Sequence, residues 1–263
     1  MELNKIYNEN CLDTMARMPD GFVGLVVTSP PYDNLRDYNG YSFDFETTAR
    51  ELYRVTKPGG VVVWVVGDAT INGSETGTSF RQALYFMECG FNLHDTMIYQ
   101  QAGTGAKGSN LAYWQSFEYM FILSKCSPKT VNRLNDIPNS AAGKKRSISQ
   151  KSAKVGTRVD RPNVISPIFS VRPNVWFYAT GQNDTTDHPA PFPEKLAADH
   201  IYSWSNESDL VYDPFMGSGT TAKMAHLQNR KWIGSEISAE YVALAEKRLE
   251  PYLMQMRLFS NGV

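Results

Sequence analysis

The sequence predicts an α/β protein built on a doubly wound, mostly parallel sheet. Three observations carry this. Apolar runs and helix-period segments alternate along most of the 263 residues, the pattern of chained β-α-β units. Two of the runs, FVGLVV (Phe22 to Val27) and VVVWVV (Val61 to Val66), are continuous rather than alternating, as strands buried on both faces of a parallel sheet must be. Near the C-terminus DLVYD, PFMGSG and TTAKMAHLQN follow one another as strand, glycine-rich turn and helix.

Each element has its own signal. After the first strand, FDFETTARELYRV spaces Phe45, Ala49, Leu52 and Val55 as one helix face, with Pro58-Gly59-Gly60 as the expected stop. VVVWVVGD is the next strand. TSFRQALYFMECG sets Phe80, Ala83, Leu84 and Met87 on one helix face and ends at Gly90, and FNLHDTMIYQ and FEYMFILSK read as two further strands. PEKLAADHIYSW reads as a helix with Pro193 at its first position. Beyond the turn come strand KWIGSE and helix SAEYVALAEKRLE. Between Ser124 and Asn174 the periodicity fades into a Ser-, Asn-, Gly- and Pro-rich stretch that reads as an insertion.

A hydrophobic content of 42% supports a sizeable core. The polar start MELNKIYNENC does not read as a signal peptide, and the most apolar run is too short to span a bilayer; a soluble, cytoplasmic protein is expected. Cys11, Cys89 and Cys126 are odd in number and irregular in spacing. His94, His188, His200 and His226 lack the spacing of a metal motif. No disulfide framework and no metal site are expected. The net charge of −1 hides an asymmetry: residues 124–174 hold eleven Lys and Arg against two Asp, a net of +9, while the remainder holds 15 basic and 25 acidic residues. A basic segment on an acidic body suits a polyanionic partner; a solvated loop would have the same composition.

Gly217-x-Gly219-x-x-Ala222, with Glu236 nineteen residues after Gly217, fits the loose fingerprint of an adenosyl-binding turn. The glycines admit close backbone approach, a helix N-terminus follows, and a carboxylate at the next strand end can hold two ribose hydroxyls. No Lys-Ser/Thr follows, which excludes a P-loop. Asp213 suits either a helix cap or a ligand's amine or ribose. A nicotinamide dinucleotide and S-adenosylmethionine are both compatible with this turn.

The stretch TSPPY (Thr28 to Tyr32) closes the first buried strand, and ligands of open α/β sheets sit at the carboxyl ends of the strands. The two prolines fix the backbone and hold carbonyl oxygens as rigid acceptors, Ser29 adds a hydroxyl, and Tyr32 offers a stacking face. That set suits a planar group with an exocyclic amine, namely a nucleobase.

At these residues the sequence resembles a known family. TSPPY is similar to the catalytic motif of the amino-group DNA methyltransferases and DPFMGSGTT to their S-adenosylmethionine motif. YNENCLDTM resembles the cofactor-contacting segment, with Asn10 where the family often has Asp. ELYRVTKPGGVVVWVVGD and HPAPFPEKLAADHI resemble the segments that follow the catalytic motif and lead into the cofactor half. The order of motifs is that of the circularly permuted β class. The resemblance covers nearly the whole chain. It implies a Rossmann-like methyltransferase fold with a catalytic half over 1–123, a basic target-recognition insertion over 124–175 and a cofactor half over 176–263. It implies a catalytic set of Ser29, Pro30, Pro31 and Tyr32. It implies S-adenosylmethionine held by Asn10, Cys11, Thr28, Asp213, Pro214, Phe215, Gly217, Ser218, Gly219, Thr220 and Glu236, and double-stranded DNA held by Lys144, Lys145, Arg146, Lys151, Lys154, Arg158 and Arg161.

The mechanism so implied flips the target base out of the duplex and stacks it on Tyr32. Ser29 and the Pro30 carbonyl accept hydrogen bonds from its amine, which attacks the methyl group directly. Methylation at cytosine C5 needs a nucleophilic cysteine, typically after proline; Asn10, Glu88 and Lys125 precede the cysteines here, which excludes it. Within the family, Ser at the first motif position goes with cytosine N4, and Asp or Asn with adenine N6, so cytosine N4 is expected and adenine N6 is the alternative. Dimers are common among relatives, so a homodimer is expected, and a cognate restriction endonuclease is a candidate partner. A nicotinamide oxidoreductase leaves TSPPY and the basic segment unexplained, and a non-catalytic nucleic-acid-binding module leaves the turn unexplained. An RNA or protein methyltransferase would more usually carry Asn-Pro-Pro-Tyr. His188 reads as structural or as a pocket wall. Phe192 and Phe215 read as adenine flanks or core. Asn34, Arg36 and Asp37 read as target-strand contacts or a solvated loop.

Overall fold

The computed structural model describes residues 1–31, 43–101, 113–146, 149–151, 158–160, 164–179 and 193–260. The chain forms two units, one of Met1–Asn132 with Asn174–Val263, the other of Arg133–Pro173.

In the first unit the chain runs through β1 (Lys5–Tyr7), α1 (Cys11–Ala16), β2 (Val23–Thr28), α2 (Phe45–Val55), β3 (Thr56–Val66), a small hairpin of β4 (Thr70–Ile71) and β5 (Ser74–Glu75), α3 (Thr78–Glu88), β6 (Asn92–Gln101) and β7 (Phe117–Ser124). After the second unit it resumes with β14 (Val175–Tyr178), α4 (Glu194–Trp204), β15 (Leu210–Asp213), α5 (Thr220–Leu227), β16 (Lys231–Ser235) and α6 (Ala239–Ser260). Eight strands make one sheet in the order β1-β16-β15-β2-β3-β7-β6-β14. Its pairings are parallel except those of β7, which runs antiparallel to both β3 and β6.

The continuous apolar runs have the expected environment. Val26, Val62, Trp64, Phe121 and Leu123 share a core with Met15 of α1, Leu52 of α2 and Phe86 of α3. The alternate residues Leu25, Val27, Val63, Met120 and Ile122 are equally buried, with α4 and α5 packed on the sheet at β2, β3, β15 and β16. Helices therefore cover both faces, as doubly wound topology requires. Strand order turns about the β15–β2 pair, so the carboxyl ends of β1, β16, β15, β2 and β3 share one edge.

Four local expectations need correction. Helix α2 ends at Val55, before Pro58, and β3 already begins at Thr56. The Thr56 hydroxyl caps the Leu52 carbonyl at 2.6 Å, Pro58 biases Lys57 to extended backbone, and the Gly59 amide donates to Lys125 of the neighbouring β7 end. On α3 the buried face is Ser79, Gln82, Ala83 and Phe86, leaving Phe80, Leu84 and Met87 exposed. Polar residues can face inward there because Trp64 Nε1 donates to Gln82 Oε1 at 2.9 Å and Asp68 accepts from the Ser79 amide at 2.9 Å and from its hydroxyl. Pro193 stands at the N-cap of α4, one position before the helix. Helix α6 runs on through Pro251 to Ser260.

The second unit holds three antiparallel ladders, nested in sequence. β8 (Asn135–Pro138) pairs with β13 (Phe169–Val171), β9 (Lys145–Arg146) with β12 (Val164–Ile165), and β10 (Ser149–Lys151) with β11 (Arg158–Asp160). The fading periodicity of this stretch therefore conceals strands, each too short to show an alternation. The unit spans a narrower range than the basic window. Lys125 lies outside it, with Nζ on the Tyr53 carbonyl at 2.7 Å and over the Tyr53 ring. Inside it, Arg172 is paired with Asp136. Among the described residues no helix is long and apolar enough to cross a membrane.

Candidate active site at the carboxyl edge of the sheet

Strand β2 ends in Thr28-Ser29-Pro30-Pro31 and its neighbour β15 ends in Asp213-Pro214-Phe215. The two ends are joined side chain to side chain: Thr28 Oγ1 donates to Asp213 Oδ1 at 2.6 Å. The same oxygen accepts the Phe215 amide at 3.0 Å, so Asp213 does cap the turn. The Asp213 carboxyl is buried, at 2% exposure. Burial pushes its pKa up to about 6, against the pull of the Thr28 hydroxyl and the Phe215 amide. A carboxyl held so far above its ordinary range in a strand-end crevice is a functional-site signal, although a structural network produces the same shift.

Two residues give the turn after β15 its shape. Gly219 has φ +81°, a conformation that favours glycine, and it leads into α5. Met216 lies against Gly234 of β16, where an added Cβ would come within 2.1 Å of the Met216 Cε; the absence of a side chain there lets the turn sit down on the sheet. From the end of β16, Glu236 reaches back. Its Oε2 accepts the Gly217 amide at 2.8 Å and its Oε1 the Ser238 amide at 2.9 Å. Burial raises its pKa, and those two amides partly offset the rise. Each carboxylate oxygen has a second lone pair available to a hydroxyl. The β1 end closes this corner: Glu236 donates its amide to the Tyr7 carbonyl at 3.0 Å, and Asn8 Nδ2 donates to the carbonyls of Glu236 and Ile237 at 2.9 and 3.1 Å.

An aromatic wall flanks the turn. Phe215 meets Phe43 edge-on at 5.1 Å and Trp64 at 6.2 Å. Among the described residues no group of His, Cys, Asp and Glu could hold a metal ion. A hollow of about 260 Å³ lined by Leu3, Phe22, Lys57, Asp209 and Lys231 lies at the amino-terminal edge of the strands, away from these groups.

Residues 23–247 match the model of the N6/N4 DNA methylase family. The chain belongs to that family. Orphan methyltransferase M.BamHII of Bacillus amyloliquefaciens is 57% identical over 244 residues, spanning 89% of this methylase and 91% of its own length. Type II methyltransferase M.BglII of Bacillus subtilis is 27% identical, spanning 92% and 68%. Among solved structures, the PvuII DNA methyltransferase (cytosine-N4-specific) matches with a TM-score of 0.69 at 22% identity over 93% of this methylase and 85% of that chain. The M1.HpyAVI–SAM complex matches with a TM-score of 0.64 at 20% identity over 93% and 98%. The methylase is a site-specific DNA amino-methyltransferase that uses S-adenosylmethionine. Its strand-end crevice fits that cofactor: the buried Asp213 and half-buried Glu236 carboxyls offer acceptors for an ammonium and for ribose hydroxyls, and the turn offers close backbone approach.

The residues singled out from the sequence separate into four groups. Thr28, Ser29, Pro30, Asp213, Pro214, Phe215, Gly217, Gly219 and Glu236 stand together at the strand ends. Asn10, Cys11, Ser218 and Thr220 are near by, with their side chains engaged elsewhere. Asn10 Oδ1 caps α1 by accepting the Leu12 amide at 2.9 Å. Cys11 is packed in the core with its thiol pushed up to about 11 by burial. The hydroxyls of Ser218 and Thr220 are both hydrogen-bonded to Arg248 at 3.0 Å. Tyr32, Asn34, Arg36, Asp37, His188 and Phe192 lie outside the described residues, as do Lys154 and Arg161. Lys144 and Lys145 are exposed, and Arg146, Lys151 and Arg158 are described as backbone in β9, β10 and β11. Arg248, Asn8 and Phe43 were not singled out from the sequence, although Asn8 lies within YNENCLDTM; each reaches the turn only through the fold.

Proposed function

We propose that this methylase transfers the methyl group to the exocyclic N4 amine of a cytosine flipped from double-stranded DNA. The observation that carries the reading is the 2.6 Å bond from Thr28 to Asp213, which ties the Ser-Pro-Pro segment to the cofactor turn on adjacent strand ends. The cofactor, when bound, supplies an electrophilic methyl on a sulfonium. Ser29 and the Pro30 carbonyl hold the amine by accepting its hydrogen bonds, which localises the nitrogen lone pair and stabilises the positive charge growing there. Pro31 fixes the backbone that aims those acceptors, and Tyr32 stacks on the base. Asp213 faces the cofactor's charged end, and Glu236 takes its ribose. Serine in the first motif position favours cytosine over adenine.

The second unit is read as the DNA-recognition arm. The window that contains it carries a net charge of +9, which suits contacts with a phosphate backbone. The test is mass spectrometry of nucleosides from mixed-sequence DNA incubated with the protein and S-adenosylmethionine. N4-methylcytosine is expected, with a KM for DNA that climbs steeply with salt. N6-methyladenine would overturn the base assignment, and a KM indifferent to salt would overturn the role of the arm.

The expected homodimer has a candidate surface. Phe80, Leu84 and Met87 of α3, Phe117 of β7, and Val175 and Phe177 of the edge strand β14 are between 36% and 63% exposed. Phe80 stacks edge-on against Tyr119 of β7 at 5.1 Å, so the helix stripe continues onto the sheet face. Together these side chains form an exposed apolar stripe of the kind that marks an interaction surface. A second copy would cover it by a self-complementary contact, helix stripe against sheet face. Sedimentation of wild type is expected to give a dimer and of Leu84→Glu a monomer. A wild-type monomer at micromolar concentration would refute the contact, and so would an undisturbed dimer of the variant.

A further inference from the structure

We infer that Arg248 is a positioning residue for the cofactor turn, holding it in shape from helix α6. The inference rests on the reading that residues 213–220 carry the cofactor. Arg248 is 30 residues from Ser218, and its side chain is only 12% exposed. Its Nη1 donates to the Ser218 carbonyl at 3.1 Å, to the Ser218 hydroxyl at 3.0 Å and to the Thr220 hydroxyl at 3.0 Å. Its Nη2 donates to Glu194 Oε1 at 2.6 Å, at the start of α4. Lys223 of α5 donates to the same carboxylate oxygen at 2.6 Å. Burial acts to raise the Glu194 pKa, but the hydrogen bonds from Lys223 and Arg248 prevail and hold the carboxyl below its ordinary range.

The arrangement is a clamp with two contact points one helical turn apart on α6. At Ala245 the turn rests on the helix, since a Cβ on Gly219 would come within 3.0 Å of the Ala245 Cβ. At Arg248 the guanidinium grips the turn on both sides of that glycine. The planar fork suits such a clamp, because one nitrogen serves the turn while the other is anchored by Glu194, a span that a lysine ammonium covers poorly. Because the Ser218 and Thr220 hydroxyls face Arg248, their service to a cofactor is through the main chain, whose direction the clamp sets. The glycine that permits the conformation also leaves the turn entropically loose, and the clamp supplies the missing restraint.

The test compares wild type, Arg248→Ala, Arg248→Lys and Glu194→Gln by calorimetric titration with S-adenosylhomocysteine. Amide exchange of the 214–222 segment is measured in ligand-free protein. Loss of an outer partner that orients a metal-ligating group typically costs about 10–100-fold in affinity, and the same scale is taken for this turn. Arg248→Ala should show a loss on that order, faster exchange in the turn, and a kcat at saturating cofactor within about threefold of wild type. Arg248→Lys should be intermediate and Glu194→Gln mildest. Unchanged affinity and exchange in Arg248→Ala would overturn the inference. Should that variant fail to fold, Arg248→Lys and Glu194→Gln decide the matter by the same two readouts. A wild type that does not bind S-adenosylhomocysteine would sink the reading of the turn itself, whereas a wild type that binds and variants that match it sink the clamp alone.

Discussion

Replacing Ser29 with alanine is expected to lower kcat by about 10²–10³-fold, the cost of removing one preorganised partner of a developing charge, while S-adenosylhomocysteine affinity stays within about threefold of wild type. The exocyclic amine of a base is a weak nucleophile because its lone pair is spread into the ring. Acceptors placed on its N–H bonds draw the lone pair back to nitrogen, and they matter more as positive charge grows. Their contribution therefore falls on the transition state rather than on ground-state binding. Alanine keeps the backbone of a segment already braced by two prolines and leaves the Thr28–Asp213 bond untouched, so the cofactor corner should survive. Ser29→Asn restores an acceptor and should recover part of the loss. Single-turnover rates with pre-bound DNA distinguish this from weaker DNA binding. An alanine variant with wild-type single-turnover rate would remove Ser29 from the chemistry.

Much of the sheet was legible because its strongest signals are local. Val61 to Val66 is apolar at every position, and only a strand covered on both faces buries all six. The turn was legible because Gly219 answers to a backbone angle and Gly234 to a close approach, both one-residue requirements. Where reading by hydrophobicity failed, a tertiary hydrogen bond had changed the sign of a residue's preference. Gln82 and Ser79 face inward on α3 because Trp64 and Asp68 satisfy them, and Phe80, Leu84 and Met87 are left outside. The ladders of the second unit were illegible for another reason. Strands of two to four residues carry too few positions to display a period of two. Arg248 was illegible in principle, since nothing in KRLE announces that its guanidinium meets a turn 30 residues earlier.

Asp213→Asn is expected to stabilise the protein at pH 7 and to weaken cofactor binding at least tenfold. The carboxyl is fully buried and its pKa is raised from 3.8 to about 6. A group raised in the folded state favours folding below its unfolded pKa, and that contribution is lost as pH rises through the folded value. Stability should therefore decline between about pH 4 and pH 6, and at pH 7 the buried ion should cost on the order of 3 kcal/mol. Asparagine removes the ionisation. Its carbonyl can still accept from Thr28 and from the Phe215 amide, since both bonds go to a single oxygen. Its new amide must find an acceptor, which reduces the gain to about 1–2 kcal/mol. Thermal melts of the variant should then lose the decline between pH 4 and 6 that wild type shows. The affinity should move oppositely, because the α-ammonium, which S-adenosylhomocysteine shares with S-adenosylmethionine, is a charge that a buried carboxylate would attract. Wild-type affinity for S-adenosylhomocysteine should rise with pH through about 6, and the variant's should not. Parallel melting profiles for the two proteins would show that Asp213 is not the titrating group. A stabilised variant with undiminished affinity would leave the carboxylate as a turn cap alone. The expected combination, greater stability with weaker binding, is the signature of a charge placed at a cost to the fold for the sake of the ligand it meets.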